Sequence, residues 1–148
     1  MRWMLILWIL LAAAVWADPD VVITLRDQSV FAVVKPDGTV LRTGLPAGSV
    51  DSTGRVVVNE VYVGDVKPDG KLFTAGGKEF GHVDAQGNIT FRGQVFIRIA
   101  NKGSISRMLD SKHAVAWGKY APAKYGWTRL KQLAAVVMFF QEGLNLEE

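Results

Sequence analysis

Proton transfer near neutral pH most often falls to histidine, and the chain has two, His82 and His113. His82 lies at a position whose counterparts elsewhere in the chain are Ser49, Asp65 and Arg98, a variety that fits a solvated surface site. His113 precedes Trp117 by four residues and has no evident base or nucleophile beside it; an enzymatic reading would need it gathered with an acidic residue and a hydroxyl. Asp37, Asp51, Asp69 and Asp84 could supply oxygen ligands to calcium, but they lack the clustered alternation of a calcium loop. Turn-type bonding of each carboxylate to its own backbone accounts for them without an ion. Lys67 and Lys71 should face each other across a turn, where they could hold an anion or simply splay apart. Cysteine is absent, which removes thiolate chemistry, disulfides and zinc knuckles. We therefore assign no catalytic residue, no metal site and no cofactor. If a ligand or partner site exists, the aromatic stretch Trp117, Tyr120, Tyr125 and Trp127 is its candidate, as a platform for glycan or peptide. The same aromatics could instead pin a loop to the body.

The elements that would position these residues are set by glycine. Gly38, Gly54, Gly70, Gly87 and Gly103 follow short polar turns at spacings of 16, 16, 17 and 16 residues. Around each runs one phrase: a small residue, any residue, an aliphatic, three turn residues, glycine, any residue, an aliphatic. A period held over five copies defines a repeat architecture. In Lys35-Pro36-Asp37-Gly38 and Lys67-Pro68-Asp69-Gly70, proline presets φ for a type I turn and glycine supplies the left-handed residue that follows. Such three-residue hairpin loops place Val34 opposite Val40, Val50 opposite Val56, Val66 opposite Leu72, Val83 opposite Ile89 and Ile99 opposite Ile105, all on the core face. The neighbours on that face, Ala32, Gly48, Gly64 and Gly81, are small, as converging backbones require; Ile97 departs from the pattern. Thr39, Arg55, Lys71, Asn88 and Ser104 should face water. Phe31, Ala47, Val63, Phe80 and Phe96 should lie on the face opposite the valines, as a second apolar layer.

These residues lead to a mainly β fold: five hairpin repeats of about sixteen residues in a closed, pseudo-symmetric, barrel-like array over residues 30–109, with a C-terminal α-helix. A β-helix is the main architectural rival, and a propeller needs far longer repeats. The repeated phrase resembles the β-flower repeat proteins, small exported bacterial proteins with hairpins around a pseudo-rotational axis. That resemblance implies a fold and an export context, and carries over no substrate and no active-site residue.

Outside the repeats, residues 1–17 combine Arg2, an apolar stretch and a Val15-Trp16-Ala17 end, the pattern of a secretory signal peptide. An uncleaved membrane anchor over residues 3–17 is the alternative. Residues 18–29 read as a lead strand or linker, and 110–127 as an aromatic-rich loop. From Thr128, a candidate N-cap, to Gly143, a candidate stop, the apolar spacing is that of an amphipathic helix over 128–143. Three roles are open to it: a cover over an open end of the β body, a self-association face, or a membrane-surface contact.

The net charge of +3, spread over 17 basic and 14 acidic residues, offers no basic patch for nucleic acid. The expectation from sequence is a non-enzymatic structural or interaction module of the bacterial envelope, periplasmic or extracellular, with an unidentified protein or envelope partner. A ligand-binding protein and a membrane-anchored protein are the alternatives.

Overall fold

The computed structural model describes residues 19–123 and 126–141; the expected signal segment 1–17, Tyr125 and Gly143 lie outside them. The described residues form a closed antiparallel barrel of twelve strands and one helix. The first six strands are β1 Val21–Leu25, β2 Val30–Val34, β3 Thr39–Arg42, β4 Leu45–Val50, β5 Arg55–Val58 and β6 Val61–Val66. The rest are β7 Lys71–Thr74, β8 Glu79–Val83, β9 Asn88–Phe91, β10 Gln94–Ile99, β11 Ser104–Met108 and β12 Ala114–Ala121, followed by helix α1, Trp127–Phe139. Neighbours in sequence are neighbours in the sheet, and β1 pairs with β12 to close the ring.

The five expected cross-strand pairs are all present, from Val34–Val40 to Ile99–Ile105. Their ten side chains are at most 3% exposed. The three-residue turns close as their residues dictate: Lys35 N donates to Thr39 O (2.8 Å) and Gly38 N to Lys35 O (3.0 Å). Each turn glycine then stitches its hairpin to the next. The carbonyls of Gly38, Gly54, Gly70, Gly87 and Gly103 accept from the N–H groups of Val50, Val66, Val83, Ile99 and Tyr120 at 2.8–2.9 Å. At Gly54, with φ of +88°, an added Cβ would sit 1.8 Å from Val66 O. The glycine thus serves left-handed backbone and close approach at once.

The ring has six hairpins, not five. The sixth joins β12 to β1, with Tyr120 opposite Ile23. Its strands come from the two ends of the barrel sequence, so it has no turn and no turn glycine to announce it. Residues 114–121, expected within a loop, are consequently a strand. Gly118 there repeats the role of Gly81: a Cβ at either would fall 2.2–2.3 Å from a carbonyl oxygen on the neighbouring strand.

The second apolar layer is also placed differently. Every even-numbered strand carries a register shift at one residue, and that residue is Phe31, Ala47, Val63, Phe80, Phe96 or Trp117. An extra residue in a β-bulge breaks the two-residue alternation. These side chains therefore turn toward the core instead of away from it. Phe31 and Phe80 are buried, and the other four pack partly buried against the core.

Helix α1 is enclosed rather than laid over an end. Leu133 through Phe140 are all buried, and eight consecutive residues cover every side of a helix. The helix also reaches opposite walls: Phe140 O accepts from Arg42 Nη1 of β3 (3.1 Å), while the Phe139 ring meets Phe80 of β8 edge-on at 5.4 Å. The dimensions agree. Twelve strands at about 4.8 Å spacing and usual barrel tilt enclose a cylinder roughly 24 Å across. A helix about 10–12 Å wide fits its axis with one layer of wall side chains around it. Thirteen helical residues span about 20 Å, the length of a six-residue strand. The helix starts at Trp127, with Gly126 rather than Thr128 as N-cap, and ends at Phe139 with Phe140 as C-cap.

Candidate functional site

The two ends of the barrel differ in chemistry. One, the glycine rim, carries the three-residue turns that end in Gly38, Gly54, Gly70, Gly87 and Gly103. The other, the apolar rim, carries the loops that return the chain to β2, β4, β6, β8, β10 and β12. At the glycine rim, aspartates fasten the turns. Asp37, Asp51, Asp69 and Asp84 each accept backbone N–H bonds from their own turn, among them Thr39 N to Asp37 Oδ1 (2.9 Å) and Asn88 N to Asp84 Oδ1 (3.0 Å). The Thr39 N–H bond holds the Asp37 carboxyl below its ordinary value, and the Thr53 hydroxyl does the same for Asp51. One oxygen of each of these carboxylates is thus engaged in turn closure. Among the described residues, no group of three or more His, Asp or Glu side chains could hold a metal ion.

The lysine pair separates. Lys71 Nζ lies 3.9 Å from Asp69, and Lys67 Nζ sits 5.5 Å from the Phe73 ring centroid. His82 is exposed on the outer wall. His113 is exposed and does have a partner: its Nδ1 is 2.9 Å from both carboxylate oxygens of Asp110, within the loop between β11 and β12. That contact completes a turn in which Asp110 also accepts from Lys112 N and His113 N.

The described members of the aromatic stretch do not share a surface. Trp117 is the sixth bulge residue, with its ring against Phe31 at 5.1 Å, edge to face. Tyr120 is buried and donates its hydroxyl to Ala100 O. Trp127 lies at the glycine rim, where its Nε1 donates to Pro68 O (2.9 Å) and its ring abuts Gly70. Two of the three are thus fastened into the wall and the helix entrance. Trp117 borders a depression, of about 500 Å³ and wide open to solvent, with Leu25, Arg26, Asp27 and Ala116. At the helix entrance, a crevice of about 110 Å³ between Thr128, Lys131, Gln132 and the second and third turns is small beside ordinary ligand pockets. The apolar sides of the helix, which the sequence offered for self-association or membrane contact, are occupied by the barrel wall.

The feature missed from the sequence lies at the apolar rim. Val30, Leu45, Val61, Val95, Leu109 and Val115 are 36–68% exposed, and all flank the loops of that rim. Of the large apolar side chains that are exposed among the described residues, only Trp127 lies elsewhere. Leu45 and Val61 follow directly on two-residue turns, and that spacing was readable. Arginines accompany them: Arg42, Arg92 and Arg107 lie over the rings of Phe31, Phe91 and Phe96 at 4.6–4.9 Å. No family model, curated protein or solved structure matches the chain.

Proposed function

We propose that this chain is an exported, non-enzymatic structural or interaction module of the bacterial cell envelope, of the β-flower type. One observation carries the reading: the barrel is filled by its own C-terminal helix. A barrel of this width could enclose a ligand, and here that volume holds Leu130 and Leu133 through Phe140. The repeated positions are occupied by turn and packing residues, which leaves the rims and the outer wall for contact with other molecules. The signal-like segment 1–17 supplies the export context, and the described barrel closes through the pairing of β1 with β12.

The test is the intact mass of the protein in fractionated host cells. A soluble envelope species beginning at Asp18 supports the reading. A full-length species confined to membranes replaces it with an anchored protein whose glycine rim lies beside the bilayer, because Asp20 and the start of β1 stand at that rim, where Lys35 Nζ is 3.8 Å from Asp20.

A second reading rests on the open depression at Trp117: a site for glycan or peptide stacking on that ring. Ligand binding that persists in Trp117→Ala would remove it.

A further inference from the structure

We infer that the apolar rim is a docking surface for an anionic lipid bilayer. The inference deepens the envelope-module reading by naming the partner, and rests on it for cellular context. Three observations converge. The exposed apolar side chains are not scattered over the molecule; Val30, Leu45, Val61, Val95, Leu109 and Val115 ring one end of it. Exposed apolar groups gathered and rimmed by polar ones mark interaction sites.

The charge at this end has the sign that anionic headgroups need. Its loops and their flanks carry Arg26, Arg42, Lys78, Arg92, Arg107 and Lys112 against Asp27, Glu60, Glu79 and Asp110. With their flanks, the turns of the glycine rim carry Lys35, Arg55, Lys67, Lys71 and Lys102 against Asp37, Asp51, Asp69 and Asp84, so it is the ring of exposed apolar side chains, not net charge, that sets the apolar end apart.

Finally, apolar tips of short reach are interleaved with guanidinium groups backed by aromatic rings. Such a surface can insert its valines and leucines while the cations stay at headgroup level. A second copy docked rim to rim would set two surfaces of the same net sign against each other, which disfavours that occupant. The outer wall itself is no lipid face: Asp65, Lys71, His82 and Arg98 point outward from the strands, where a membrane-spanning barrel presents an apolar band. The contact is therefore end-on and peripheral.

The experiment is co-sedimentation of the chain from Asp18 onward, which contains all twelve strands and α1, with vesicles of phosphatidylcholine alone or mixed with phosphatidylglycerol. Binding is expected to the anionic vesicles and to weaken with salt. The triple variant Leu45→Ser, Val61→Ser, Val30→Ser should lower the partition coefficient by roughly tenfold or more. Arg26→Gln and Arg107→Gln should each lower it by roughly fivefold. Lys67→Gln, at the glycine rim, should leave it unchanged. Thermal unfolding checks that the variants fold. Absence of binding to anionic vesicles overturns the inference, as does binding that the rim variants leave intact. A rim-dependent dimer in sedimentation velocity, without vesicle binding, overturns it in favour of a second copy. Failure here leaves the export test untouched, because that test reads where the chain is cut and found.

Discussion

The two rims of this barrel are built from the same strands by opposite means. At the glycine rim every turn is bonded inward, to itself through an aspartate or backbone carbonyl and to the next hairpin through a glycine carbonyl. At the apolar rim the loops are short and left-handed. Thr43, Asn59, Glu60 and Arg92 all have positive φ of 50–70°, and Gly44, Gly77 and Gly93 have open space where a Cβ would be. The first rim spends its residues on holding hairpins in register. The second leaves side chains facing solvent, and Arg42 ties it to the interior, donating Nε to Phe31 O (3.0 Å) and Nη1 to the C-terminal end of α1. Stability and surface chemistry are thus separated along the barrel axis.

The largest expected contrast comes from glycine. Gly54→Ala places a methyl against Val66 O and forces left-handed backbone on alanine, so it should cost about 3 kcal/mol or more. Gly44→Ala meets only the left-handed penalty, about 1–2 kcal/mol. Equilibrium urea unfolding of both chains measures the difference; equal losses would mean that the glycine rim does not hold the repeats together. Next, Arg42→Met removes the charged donor at the helix end and should cost about 1.5 kcal/mol in the same assay. A smaller gain is expected from Glu60→Gly, since Glu60 sits at φ of +70° in a two-residue turn that favours glycine: about 0.5–1 kcal/mol of added stability.

The smallest effect is acid sensitivity at the glycine rim. Asp37 and Asp51 titrate below the ordinary aspartate value of 3.8 in the folded chain. Their contribution is therefore present above that value and is lost as pH falls through their folded values. Both are largely exposed, so the loss is modest, and Asp51→Asn should flatten the decline of stability below pH of about 4. An unchanged decline would place the acid sensitivity elsewhere.

Much of this was legible in the sequence, for a local reason. A three-residue turn, its glycine and its flanking aliphatic pair lie within nine residues, so five hairpins and their inward faces could be read directly. The sixth could not, because Tyr120 and Ile23 meet only when the ring closes. The bulges were misread because strict alternation sends Phe31 and Phe80 outward, and one extra residue per strand returns them to the core. The helix was placed outside for want of a size argument: six hairpins leave an axis wide enough for a helix, whereas five suggested a narrower body to be covered. The apolar rim escaped notice because Val30, Leu45, Val61, Val95, Leu109 and Val115 form one surface only once the barrel gathers their loops at one end.

The central claim is that the barrel is built around its own C-terminal helix. Amide hydrogen exchange of the folded chain tests it most directly. The account predicts that the hydrogen-bonded amides of Leu133–Phe139 exchange only through global unfolding, as slowly as those of Val50 and Ile99 in the wall. Exchange of the helix amides orders of magnitude ahead of the strands would show that the helix leaves the barrel without opening it, and would contradict the account.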